Sequence, residues 1–137
     1  MPLHLDIVTP EKKVFSDTVD NVYLPGAEGE IGVLPMHAGL VTALQPGELR
    51  YFHNGQTVTL AIGSGFAEIT QTKVVVLTDM ALGEAEIDVR SAEEAIQRAQ
   101  EALQAVEHSM DAEEVAYLQG IISKSTAAIR FKRRHHG

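Results

Sequence analysis

The sequence contains no cysteine and no tryptophan. Without thiols it forms no disulfide and performs no thiolate chemistry. Basic residues are scarce: 11 Lys and Arg stand against 19 Asp and Glu, for a formal net charge of −8. A nucleic-acid binder shows the opposite balance or a basic stripe. The only basic cluster is "RFKRRHH" at 130–136. It reads either as a solvated tail or as a patch for an acidic protein partner. Long hydrophobic runs are also missing. "VVVL" at 74–77 falls far short of the roughly 20 residues that cross a bilayer. The start, "MPLHLDIVTP", lacks a basic segment followed by a long apolar one, and it is not the Arg- and Ser-rich leader of an organelle import signal. The expectation is a chain that stays in the compartment where it is made.

What is present fits one or two small domains. The chain has 137 residues, 45% of them hydrophobic, which is ordinary for globular proteins. Residues 3–78 read as strands. "LHLDIV" and "QTVTLAI" alternate, and "KVVVL" is a buried-type run. Turn signals separate them: Thr9-Pro10, Pro25-Gly26, Pro46-Gly47, Asn54-Gly55 and Gly63-Ser64-Gly65. Asn54-Gly55 predicts a two-residue hairpin, because a type I′ turn needs positive φ at both positions. "FAEIT" and "KVVVL" around Gln71-Thr72 predict another. Eight to ten short strands in so few residues predict an antiparallel β-sandwich or flattened barrel over 1–84.

The period changes after Gly83. Ala92, Ala95, Ile96, Ala99, Ala102, Leu103 and Val106 form the stripe of an amphipathic helix. Ser91 with Glu94 fits a capping box, and Asp88 is a second candidate N-cap. "HSM" at 108–110 breaks the pattern, and Asp111 with Glu114 starts a second helix. Its face is Val115, Leu118, Ile122, Ser125 and Ile129, with Gly120 inside. That glycine either carries the helix-propensity penalty of roughly 1 kcal/mol or admits a close neighbour. Residues 85–137 are thus predicted to be a two-helix hairpin. Its first helix offers mostly Ala to the seam, and an Ala-rich seam buries little. A unit of about 50 residues is hard to stabilise alone. The hairpin therefore needs a second surface, either its own β domain or a partner, and is a candidate switch.

Catalytic patterns are missing. "IGSGFA" at 62–67 has no residue between Gly63 and Ser64, so it is no G-x-S-x-G elbow. It lacks the Lys-Ser/Thr of a phosphate loop, and it joins two strands as a tight turn. The histidines His4, His37, His53 and His108 have no metal-ligand spacing, and His135-His136 could at most bind a metal adventitiously. "GEIGVLPMHAGL" at 29–40 places Glu30 and His37 around a turn at Pro35. Around that turn they read either as ordinary surface residues or as a polar docking rim.

"LDIVTPEKKVFSDTVDNVYLPGAEGEIGVLPMHAGLVTALQPGELR" (5–50), "GSGFAEITQTKVVVLTDMA" (63–81) and "EIDVRSAEEAIQRAQEAL" (86–103) resemble the epsilon subunit of the F-type rotary ATP synthase. The resemblance covers essentially the whole chain. It implies a β-sandwich followed by two helices, and a non-catalytic place in the rotor stalk. The sandwich would pack on the gamma subunit and on polar loops of the membrane c-ring, coupling proton-driven rotation to the alpha/beta catalytic head. The helices would fold on the sandwich, or extend along gamma and restrain ATP hydrolysis. Membrane association would come only through the complex, at the cytoplasmic face of the bacterial inner membrane.

The resemblance implies site residues too. Glu30 and His37 match the c-ring contact positions. Gly39 stands where the family usually has Pro, which frees φ at the rim. Some members bind ATP on the helices through Ile/Leu-Asp-x-x-Arg-Ala. Here Ile87, Asp88 and Ala92 match, but Ser91 occupies the Arg position, and Arg90 lies about 100° round the helix. Arg98 and Arg130 match further phosphate-side arginines, while Thr126 replaces another. Losing two guanidiniums removes two charge-assisted contacts, so any nucleotide binding is expected to be weak, and no cofactor is expected. Region 79–114 has Arg90 and Arg98 as its only Lys or Arg. Lys124, Arg130, Lys132, Arg133 and Arg134 are therefore the expected contacts with an acidic segment of the head. The competing readings are a stand-alone ATP-sensing module and a β-barrel enzyme.

Overall fold

The computed structural model of the chain describes residues 3–36, 38–105 and 111–135. Ten strands come first: β1 (Leu3–Val8), β2 (Lys13–Val19), β3 (Asn21–Gly26), β4 (Gly29–Val33), β5 (Leu40–Leu44), β6 (Gly47–His53), β7 (Gln56–Ile62), β8 (Gly65–Ile69), β9 (Lys73–Thr78) and β10 (Ala81–Leu82). A 3-10 turn at Glu84–Glu86 leads to helices α1 (Val89–Ala105) and α2 (Ala112–His135). The fold is a nearly closed β-sandwich followed by two packed helices, the architecture read from the sequence.

Strand order is β10-β7-β6-β3-β5-β8-β9-β1-β2, with β4 added to β3. The sheet folds over at β3, which pairs with β6 along its first half and touches β5 only at Gly26–Leu44. It closes where β2 returns to β6. There Phe15 lies 4.4 Å from Tyr51 between ring centres, and His53 Nδ1 is 2.7 Å from the Thr18 carbonyl oxygen. One pairing departs from the antiparallel expectation: β1 runs parallel to β9, from His4–Lys73 to Val8–Leu77. Strand alternation puts Leu3, Leu5 and Ile7 inside with Val22, Leu24, Leu49, Ile62, Ile69, Val74 and Val76, as the two-residue side-chain period requires.

The turn chemistry explains two connections. Asn54 and Gly55 have φ of 51° and 75°, and His53–Gln56 closes the ladder directly beside them, so the predicted type I′ hairpin forms. Gly63-Ser64 joins β7 to β8, which are not hydrogen-bonded neighbours, so the chain crosses between layers there. A Cβ on Gly65 would run into the backbone carbonyl of Leu77, so no other residue fits.

Asp88, not Ser91, caps α1. Its Oδ1 accepts from Ser91 N at 3.2 Å, and its Oδ2 accepts from the Ser91 hydroxyl at 3.2 Å. Both residues are capping types; the earlier one prevails because its carboxylate reaches the third backbone N–H of the helix. These two bonds hold the Asp88 carboxyl below the usual carboxylate range. Asp111 caps α2 as expected, accepting from Glu114 N at 2.9 Å. Val106 and the break at 108–110 lie outside the described residues.

The seam between the helices is thin: Ala99 is the buried residue among the described residues of α1. Gly120 meets no neighbour within 4 Å of a Cβ, so in this conformation it only carries its propensity penalty. The second surface predicted for the hairpin is the sandwich itself. Ala128 and Phe131 of α2 pack with Ala61 and Ile87, flanked by Met80 and Leu82. As far as His135 the basic segment is a helix and not a tail, although Arg130, Arg133, Arg134 and His135 stay exposed. The helix continues through it, and Phe131 is 1% exposed.

Candidate docking surfaces

Three features of the surface stand out, beginning with a sheet face. Phe66 on β8 pairs with Ala43 on β5 and Leu77 on β9, and Leu77 pairs with Val8 on β1. All four point out of the sandwich, because their neighbours Ala67, Leu44, Val76 and Ile7 point in. The result is an apolar row across four strands. Phe66 is 60% exposed, Leu77 53% and Val41, one row along, 69%. Sequence reasoning missed this face. Its signal, apolar residues at both phases of β5, β8 and β9, reads like a buried strand.

Next to the row, polar groups cover the same sheet. Asp6 is buried, His4 Nε2 lies 3.1 Å from its Oδ1, and Lys73 Nζ is 3.5 Å from its Oδ2. Ser16 Oγ is 3.3 Å from the same His4 Nε2. Ser, His and Asp thus meet, but both contacts use one ring nitrogen. A triad needs the base to hold nucleophile and carboxylate on opposite nitrogens, so this cluster has no relay geometry. The hydrogen bond from Ser16, followed by that from His4, holds the Asp6 carboxyl below its ordinary value against the opposing effect of burial. Among the described residues no three His, Asp or Glu side chains gather as metal ligands.

The second feature is the rim of β4. Glu30 is exposed, and Arg50 Nη2 approaches its Oε1 at 3.5 Å. Arg50 lies over the Tyr23 ring at 4.4 Å from its centre. Strand register explains this meeting, since Tyr23 pairs with both Gly32 and Arg50. His37 lies outside the described residues. Before it, Leu34 and Met36 are exposed, and Met36 has φ 68°, a left-handed value that a non-glycine residue seldom adopts. A 2.7 Å bond from Met36 N to the Gln71 carbonyl holds it. Gly39 is not among the positive-φ residues, and a Cβ there would make only an ordinary 3.7 Å contact. The rim does not depend on its freedom.

The third is the helical pair. Three of the five residues matched to nucleotide binding are brought together: Ile87, Asp88 and Ala92 line one groove of about 300 Å³ with Ser91, Lys124 and Ser125. Ile87 is 5% exposed there, against the helix–sandwich contact. Arg130 lines a different groove, about 620 Å³, with Thr126, Arg133 and Glu93. Arg98 is exposed and lines neither. Of the expected head contacts, Lys124, Lys132 and Arg134 face Asp79, Glu84 and Glu48 of the preceding region. Arg130 and Arg133 are exposed, with no ion pair among the described residues.

Residues 2–84 match the family described as ATP synthase, Delta/Epsilon chain, beta-sandwich domain. The ATP synthase epsilon chain of Desulforamulus reducens is 50% identical over 91 residues, covering 66% of this chain and 69% of that one. This chain belongs to the ATP synthase epsilon chain family. The epsilon chain of Herpetosiphon aurantiacus is 47% identical over 95 residues, covering 69% of this chain and 70% of that one. Two solved structures share the fold. A chain of the Euglena gracilis mitochondrial ATP synthase matches with a TM-score of 0.70 at 23% identity, over 94% of this chain and 80% of that one. A chain of the Tetrahymena thermophila mitochondrial ATP synthase central stalk and c-ring matches at 0.61 and 10% identity, over 96% and 97%. An epsilon chain is a non-catalytic subunit. No helix among the described residues is long and apolar enough to cross a membrane.

Proposed function

We propose that this epsilon chain works in the central stalk of a proton-translocating F-type ATP synthase, as a rotor element that couples the c-ring to the catalytic head. Its sandwich packs on the gamma subunit through the Ala43–Phe66–Leu77–Val8 face. Its β4 rim, with Glu30, and His37 in the sequence that follows meet polar loops of the c-ring. Its helices restrain ATP hydrolysis by carrying Lys124, Arg130, Lys132, Arg133 and Arg134 to an acidic segment of beta. Membrane association comes through the complex alone, at the cytoplasmic face of a bacterial inner membrane. The apolar row carries this reading. Large apolar side chains, exposed side by side on rigid strands, are what a permanent subunit contact needs.

The rim is tested by reversing its charge. In assembled enzyme, Glu30→Lys should lower ATP-driven proton pumping per ATP hydrolysed, by a factor of about 1.4–5, the range for one exposed charged contact. The isolated variant should melt at the wild-type temperature. Wild-type pumping in an enzyme that also carries a bulky replacement of His37 would remove the rim from the coupling path.

The ATP-sensing alternative is the weaker reading. Ser91 and Thr126 stand where arginines are expected, and Arg98 and Arg130 do not line the groove that holds Ile87, Asp88 and Ala92. Calorimetric titration of the full chain with ATP should show no binding at micromolar concentrations. A micromolar dissociation constant would restore that reading and make Arg90 the substitute ligand.

A further inference from the structure

Glu48 stands at the start of β6 and pairs across the ladder with Ala61 of β7, which pairs in turn with Leu82 of β10. Ala61 belongs to the cluster that receives Ala128 and Phe131, so Glu48 is the acidic end of the row that seats α2. The helix answers it with Arg134 and the imidazole of His135. Arg134 Nη2 donates to Oε2 at 3.1 Å, and His135 Nε2 lies 3.2 Å from Oε1. Both carboxylate oxygens are engaged, and the Glu48 side chain is 25% exposed. The ring of His135 also stacks on Phe131 at 4.4 Å. Polar clamp and apolar plug therefore share one turn of helix.

We propose that Glu48 is a latch that holds α2 on the sandwich and competes with the acidic segment of the catalytic head for the same cations. This rests on the reading of the helices as a restraint on hydrolysis, and adds what sets their resting position. Arg134 cannot serve two carboxylate surfaces at once. Nor can Lys132, which donates to the Glu84 carbonyl at 3.0 Å and lies 3.7 Å from Glu84 Oε1. In the docked state Arg130 and Arg133 have no ion pair among the described residues, whereas Lys124, Lys132 and Arg134 are paired with Asp79, Glu84 and Glu48 and are freed on release. The docked state is held by partly exposed ion pairs, each of which contributes little, so a competing acidic surface can exchange with them.

The absence of native cysteine allows a direct test in the full chain. Ala128→Cys places a single thiol at a position that is 4% exposed when docked, so its reaction rate with a thiol reagent reports undocking. Adding Glu48→Gln should raise that rate by about 1.4- to fivefold, the range for losing the Arg134 ion pair, with the sandwich melting unchanged. Glu48→Arg combined with Arg134→Glu re-forms the 48–134 pair and should bring the rate back below that of Glu48→Gln, which a mere packing defect would not do. An unchanged rate in Glu48→Gln overturns the latch. In assembled enzyme the same variant should hydrolyse ATP more slowly, because its helices spend more time extended. If removing residues 88–137 releases hydrolysis while Glu48→Gln leaves it unaltered, the competition is wrong. If neither change affects hydrolysis but labelling accelerates, the latch stands and the inhibitory reading fails.

Discussion

Phe66→Glu should yield an enzyme that purifies without this chain. Phe66 sits in the middle of the Ala43–Phe66–Leu77–Val8 row, 60% exposed. Covering a phenylalanine contributes about 1.5–3 kcal/mol, and an unpaired carboxylate in its place adds a desolvation cost of several kcal/mol. At about 1.4 kcal/mol per tenfold, retention should fall at least about a hundredfold. The isolated variant should keep its melting temperature, because the side chain points out of the core and Glu68 already places a carboxylate on that face. Glu68→Gln serves as the control and should leave retention near normal. Co-purification of Phe66→Glu in normal amount would show that gamma is met elsewhere.

How much of this was legible in the sequence depends on how far each feature reaches along the chain. Asn54-Gly55 and Asp111 act on their immediate neighbours, so turn and cap chemistry was enough. The parallel β1–β9 pair joins His4 to Lys73, and nothing local says which strand lies beside β1. The meeting of Glu30 with Arg50 depends on the same kind of information, the register of β3 with both its neighbours. In α2 the stripe Val115, Leu118, Ile122, Ser125 and Ile129 was readable because it repeats. The helix carries a second stripe, Lys124, Ala128, Phe131 and His135, that faces the sandwich. Only two of its members are apolar, and a run of charges surrounds Phe131. A charge-rich run reads as solvent-facing unless its partners, here Glu48 and Glu84, are known to lie opposite.

The largest regulatory effect is expected from removing residues 88–137. ATP hydrolysis by the assembled enzyme should rise about fivefold or more, while assembly and synthesis persist. The sandwich should survive the loss because its core cluster, from Leu3 to Val76 and Ala81, contains no helical residue. The cut exposes only the seat of α2, chiefly Ala61 and Ile87. The magnitude follows from the ion pairs: each exposed pair contributes about 0.2–1 kcal/mol, so one alone does little and four or five together hold the extended state. Neutralising Arg130, Lys132, Arg133 and Arg134 together should give most of the release, and raising the salt should weaken the restraint, since screening acts over about 10 Å at 0.1 M. The single changes should not be equivalent. Arg134 is also bound to Glu48 when docked, so removing its charge weakens both states and the effects offset each other. Arg130 and Arg133 have no ion pair among the described residues in the docked state, so their double neutralisation should relieve hydrolysis without loosening the docked helix. A hydrolysis rate indifferent to the full deletion would show that the helices of this chain do not restrain the head.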